Sequence, residues 1–256
     1  MPSCAAISPI DEGALPAFGF VTVHRQPLAS GVAHEADWLA AAAASGRASA
    51  HLWTAPVGIV VPRRTTALPG WTEMEGRHGE LQVRASGGGV VPQGPGVWNL
   101  SLSWPAPSAS PTATEAIYRG LCARLAAALA QLGVAAAPQA VAGSFCDGRY
   151  NLAVDGRKLV GTAQAWRRTG GVPMVLVHAV VVVEADPVEL TERANGFEAA
   201  LGTGTRYLSE TLTSVKLASG QADIESRTLR ALAQQFARVV PARERQPEEI
   251  EPHGAA

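Results

Sequence analysis

The residue types best suited to chemistry stand close together between positions 143 and 164, in the stretch GSFCDGRYNLAVDGRKLVGTAQ. Cys146 lies just ahead of a strand-forming run, Asp155-Gly156 forms a tight turn, and Lys158 begins the run that returns. Apolar pairs on either side, Leu152 and Val154 before and Leu159 and Val160 after, make the Asp-Gly step a strong hairpin signal. Both turn residues must tolerate positive φ, which Asp and Gly do. Gly161, Thr162 and Ala163 follow, and small residues on a strand let a ligand or another backbone come close. A thiol and an amine so placed could be half of a site that handles acyl groups. Each also has a plainer reading: a lone cysteine is more often an inert buried residue, and a lysine beside a turn a solvated charge.

Two other stretches carry candidate chemistry. Ser86, Gly87, Gly88 and Gly89 follow Arg84 at the end of a predicted strand from 81 to 84. Glycines there serve positive φ, leave room for something to approach the backbone, or simply make a loop. His178 sits within an apolar strand, where a hydrogen-bonded core histidine is the favoured reading over proton transfer. Cys122 lies beside the apolar stripe of a predicted helix and reads as a small core residue. The cysteines (Cys4, Cys122, Cys146) include no CxxC pair, which argues against a disulfide framework and a zinc site.

The elements that would position these residues can be read in order. Residues 1–33 form an extended arm with at most one strand. A helix runs from His34 to a glycine stop at Gly46. Strands at 51–54 and 57–61 are separated by Ala55-Pro56, since proline excludes one continuous central strand. The segment from 92 reads as a strand ending at Pro105, followed by a helix over 115–132. A buried strand to Val183, a helix from Pro187 and an amphipathic helix over 224–239 complete a catalytic-size domain spanning 34–240. Residues 241–256, rich in Pro and Glu, read as a disordered tail. Without a regular βαβ rhythm, the expected class is α+β, a mixed β-sheet with helices packed mainly on one face.

Composition narrows the partners. Hydrophobic residues make up 47% and charged residues 17% of 256, and 21 Lys plus Arg balance 22 Asp plus Glu. Neither disorder nor a general attraction to nucleic acid or an anionic membrane follows from that balance. The longest apolar run, 172–183, contains Pro173 and His178 and falls short of the about 20 residues a membrane helix needs. No basic-then-apolar leader is evident, so the expected compartment is the cytoplasm.

With these residues in view, RASGGGVVPQGPGVWNLSL from Arg84 and DGRKLVGTAQAWRR from Asp155 resemble the two signature segments of the biotin/lipoate protein ligase and lipoyltransferase superfamily. His178 and the run ending at Asp186 resemble a histidine-led strand of the same enzymes, with Ala179 in place of a glycine. Thr213-Ser214-Val215 resembles the segment before their last catalytic-domain helix. The similarity covers about 34–239 and implies a class II synthetase/biotin-ligase-like catalytic domain. Where ligases commonly carry Val-Tyr-His-Asp, this chain has Val91-Pro92-Gln93-Gly94, so the acidic position is missing. The run SFCDGRYNLAVDGRK instead resembles the active-site segment of the cysteine-dependent octanoyl or lipoyl amidotransferases.

The resemblance implies transfer of an octanoyl or lipoyl group, through a thioester on Cys146, to a lysine of a lipoyl carrier domain. Lys158 would then donate to the acyl carbonyl. Gly87, Gly88, Gly89 and Asn99 would wall an acyl tunnel with Ser86, Gly161, Thr162, Ala163 and His178, while Arg84 would meet donor phosphates. No cofactor is implied, because exchange of thioesters needs no ATP; ATP and magnesium belong to the ligase alternative. A third alternative, a non-catalytic acyl-carrier-binding homologue, is suggested by the missing acidic residue and by Ala179. The implied partners are an acyl carrier protein or a lipoyl domain, as in glycine cleavage H protein and dehydrogenase E2 subunits. The Arg167-Arg168 pair could guide an acidic carrier.

Overall fold

The structure is a computed structural model that describes residues 15–74, 76–107 and 109–237. Its frame is a seven-stranded sheet in the order β1 (Thr22–His24), β2 (Ser49–Trp53), β6 (Val97–Pro105), β10 (Val172–Val182), β9 (Arg157–Thr169), β8 (Leu152–Val154) and β7 (Ala137–Pro138). A three-stranded sheet, β4 (Glu80–Arg84), β3 (Gly58–Pro62) and β5 (Val91–Gln93), lies beside it. Pairing is antiparallel except between β1 and β2 and between β3 and β4. The expected mixed α+β sheet is therefore present.

Two sequence breaks divide the chain between the sheets. Ala55-Pro56 ends β2 in the large sheet before β3 opens the small one. The segment from 92, expected as one strand, splits at Gly94 and Gly96 into β5 of the small sheet, which begins at Val91, and β6 of the large one. Residues at those glycines have positive φ, and a Cβ on Gly96 would stand 2.4 Å from the Ala185 nitrogen, so the corner is open only to glycine.

Alternation along β10 sorts the core. Val175, Val177, Ala179 and Val181 face the helices α2 (Pro111–Ala130) and α5 (Ile224–Phe236), meeting Leu121, Leu125, Leu232 and Phe236. Strand periodicity sends Met174 and Leu176 to the other face, against Leu39 and Ala42 of α1 (Gly31–Ser45). Val182 on that second face packs with Ile59 and Val61 of the small sheet and with Phe197 of α3 (Pro187–Ala200). Helices thus cover both faces, a refinement of the expected one-sided packing. His178 shares the face of Leu176 and Val182, so it looks into the gap between the large sheet and the lid made by α1 and the small sheet.

Other expectations need small corrections. Helix α1 starts at Gly31 rather than His34, and Gly46 ends it in a left-handed conformation. The portion of the N-terminal arm from Leu15 onward is built into the domain: Leu15 and Phe18 are buried, Phe18 edge-on to Trp104, and β1 pairs with β2. Residues 1–14 and the expected tail over 241–256 lie outside the described residues. Among the described residues, no helix is long and apolar enough to cross a membrane.

Candidate active site

The hairpin forms as its sequence requires, with Asp155 and Gly156 at φ 50° and 75° joining β8 to β9. It carries Lys158 inward instead of into solvent. Lys158 is 3% exposed and donates to the carbonyls of Phe145 (2.5 Å) and Cys146 (2.8 Å). Burial lowers its pKa to about 8, partly opposed by nearby Cys146 and Asp147. An ammonium has three donors, so one N–H is left to face the cavity beside it.

Cys146 is held in a conformation that L-residues avoid, with φ 59°. Its carbonyl accepts from Lys158, from the Asn151 side chain (2.7 Å) and from the Gly148 N–H (3.0 Å). Asn151 is fixed in turn by the Thr162 N–H at 3.3 Å. Three donors on one carbonyl over-determine the backbone there, which is how a strained residue persists at a functional site. The half-buried sulfur accepts from the Gly89 N–H at 3.3 Å, with the Arg84 guanidinium 4.0 Å away.

Two cavities meet at this sulfur. The narrower is a slot with about 60 Å³ open to the centres of water-sized spheres. Its walls bring together Arg84, Asn99, Cys146, Lys158, Gly161, Thr162, Ala163 and His178, with Val60, Phe145 and Val180 supplying apolar surface. A wider cleft of about 740 Å³ is lined by Gly87, Gly88, Gly89, Cys146, Thr162, Ala163, Tyr207 and Arg206. Cys146, Thr162 and Ala163 belong to both. Gly161 leaves space for the amine, since a Cβ there would stand 3.2 Å from Lys158 Nζ.

Ser86 lies among the buried polar residues and hydrogen-bonds to His178. Arg84 is also buried, its guanidinium donating to Gly87 O, Gly89 O (2.6 Å) and Val60 O. Its donors thus hold the glycine loop. Cys122 is buried, its thiol pushed up to about 12 by desolvation, as suits an inert core residue.

Gly88 is the tightest point of the loop. It has φ 106°, and a Cβ there would stand 2.3 Å from the Cys146 sulfur and 2.8 Å from Arg84 Nη2. Gly88→Ala is expected to lower stability by about 1–3 kcal/mol in thermal denaturation and to slow alkylation of Cys146 by iodoacetamide.

Several site residues were missed from sequence. Glu35 was passed over as part of a helix start, yet it is 4% exposed and falls on the buried stripe Gly31, Glu35, Leu39, Ala42. A carboxylate on that stripe was the available signal. Gln93 pairs with Asn99 through its side-chain amide at 2.8 Å. Tyr207 lines the cleft, donating to buried Glu198 at 2.7 Å; burial, reinforced by that bond, raises its pKa. Nothing in the spacing of Glu198 and Tyr207 announces that pairing.

This architecture, two sheets enclosing a slot beneath a glycine loop, is the fold of lipoate-protein ligases. A crystal structure of lipoate-protein ligase A bound with ATP superposes with a TM-score of 0.66 at 16% identity, over 86% of this chain and 84% of that one. The chain belongs to the family described as the lipoyl protein ligase A/B catalytic domain, which matches residues 35–236. The superfamily expected from the signature segments is thus the right one. A protein of Cupriavidus necator, named only as uncharacterized, is 46% identical over 199 residues, 70% of this chain and 79% of its own length. An octanoyl-[GcvH]:protein N-octanoyltransferase of Kyrpidia tusciae is 39% identical over 142 residues, 53% of this chain but 45% of that relative. The chain therefore spans less than half of that relative's length.

Proposed function

We propose that this chain is an acyltransferase that moves an octanoyl or lipoyl group through a thioester on Cys146 to the ε-amine of a lysine on a lipoyl carrier domain. One observation carries the reading: the Cys146 sulfur stands where the apolar slot opens into the wider cleft, so it can meet an acyl carbonyl whose tail fills the slot. Each methylene buried in the slot contributes about 0.8 kcal/mol, enough for an eight-carbon tail to bind usefully. The name of the Kyrpidia tusciae relative, with its octanoyl donor and protein acceptor, supports the same substrate class.

In the first step Cys146 Sγ attacks the carbonyl carbon of the donor, and the donor's sulfur or nitrogen leaves with the proton given up by the cysteine. In the second, the acceptor amine attacks the thioester, the new amide bond replaces the C–Sγ bond, and the amine's proton returns to the sulfur. The third N–H of Lys158 is the donor available to the oxyanion of each step. Acceptors are lipoyl domains such as those of glycine cleavage H protein or dehydrogenase E2 subunits, and the compartment is the cytoplasm.

Mass spectrometry after incubation with an octanoyl-loaded carrier tests the reading. An octanoyl adduct on Cys146, labile to hydroxylamine and absent from Cys146→Ala, is the expected result. Use of free lipoate only with ATP and magnesium, indifferent to that substitution, would mark a ligase. Carrier binding without either activity would mark a non-catalytic homologue.

A further inference from the structure

A chain of buried hydrogen bonds runs beneath the slot and ends at the glycine loop. Trp53 Nε1 donates to Ser101 Oγ (2.9 Å), and Ser101 Oγ donates to Glu35 Oε1 (2.7 Å). The same carboxylate oxygen lies 2.8 Å from His178 Nδ1, and His178 Nε2 lies 2.8 Å from Ser86 Oγ. A carboxylate only accepts, so Nδ1 carries a hydrogen, and in the neutral ring Nε2 then accepts from the Ser86 hydroxyl. Ser86, His178 and Glu35 are 3%, 9% and 4% exposed.

That bonding order matches a serine–histidine–carboxylate triad, in which the serine would be a nucleophile. Position argues against it here. Ser86 lines neither the slot nor the cleft, whereas His178 and Glu35 line the slot and not the cleft. What Ser86 does reach is the chain it begins: Gly87, Gly88 and then Gly89, whose N–H meets the Cys146 sulfur. Arg84 grips the carbonyls of Gly87 and Gly89. The loop is thus pinned at its first residue by His178 and along its length by Arg84.

We infer that Glu35, His178 and Ser86 are positioning residues, which fix the glycine loop so that the Gly89 N–H is aimed at the Cys146 sulfur. The link joins α1, β10 and the loop after β4, so the sheet floor sets the register of the loop. Chemistry at the sulfur then depends on residues that never touch it. This inference deepens the acyltransferase reading, but it concerns thiol geometry and can be tested without any acyl transfer.

The test combines three readouts on the full chain: alkylation of Cys146 by iodoacetamide, hydrogen exchange at the Gly89 amide, and protection of Cys146 by octanoate. In Ser86→Ala, alkylation is expected to slow about tenfold, as for loss of one hydrogen bond at a reacting group. Gly89 exchange should rise while the Val177 amide in β10 stays unchanged. The octanoate concentration giving half-protection should not move. His178→Gln gives a second variant should Ser86→Ala fold poorly, and the double variant should react no slower than the slower single, because both break one path. Parent-like alkylation and Gly89 exchange in both variants would overturn the inference. So would an unchanged alkylation rate with a raised half-protection concentration, which would make Ser86 a contact of the acyl tail.

Discussion

Cys146→Ala is expected to reduce octanoyl transfer on the order of 10³-fold or more and to abolish the acyl adduct, measured by single-turnover mass spectrometry. Removal of a covalent nucleophile leaves only binding and the oxyanion donor to act, and these alone provide little turnover. The fold should be untouched, because the side chain is half-buried at a cavity edge and, the Gly89 N–H on the sulfur apart, the hydrogen bonds around it go to its carbonyl. Cys146→Gly makes a sharper statement. The residue has φ 59°, a region that holds glycine without strain and that taxes L-residues by about 1–2 kcal/mol. Cys146→Gly should therefore be inactive yet melt no lower than the parent. A clear fall in its melting temperature would show that the cysteine side chain stabilises the fold, and would weaken the view that strain is held there for chemistry.

Replacing Lys158 comes next in expected effect. Lys158→Met should lower transfer by about 10²–10³-fold, the usual loss for one oxyanion donor. The parent protein supplies the pH signature. Burial sets the Lys158 pKa at about 8, so the ammonium loses its proton as pH rises through that value and transfer should fall with it. Stability moves the opposite way. The folded pKa lies below the unfolded value of 10.5, so between about 8 and 10.5 the unfolded chain holds a proton that the folded chain does not. Folding stability of the parent should rise with pH through that window, relative to Lys158→Met, and the burial penalty is fully present below it. Parallel pH series of transfer rate and urea midpoint check both signs. A flat difference in urea midpoint between the two proteins would show that the amine is not desolvated as the structure places it.

Local chemistry made much of this site readable. The Asp155-Gly156 turn, the glycine stop of α1, proline at the head of α3 and the break at Ala55-Pro56 each follow from φ preferences or a missing N–H, which neighbours in sequence decide. The same holds for the three glycines after β4. Less readable was the role of each charged residue. Lys158 beside a turn looked solvated, but residues 143–148 fold over it and place two carbonyls on its amine. The loop after Arg84 curls back and takes up most of its donors, a role no neighbouring residue announces. Glu35 and His178 are 143 positions apart and bond to each other at 2.8 Å.

By itself, then, the sequence determined the Asp155-Gly156 turn, the glycine stop of α1, the break at Ala55-Pro56 and the signature segments that mark the family, because short-range sterics govern the local breaks. Only the tertiary structure decided that a strained thiol, a buried amine and a pinned glycine loop meet where the slot opens into the cleft. That depends on how two sheets close over each other, and desolvation and hydrogen bonding at such closures arise between residues that no local pattern connects.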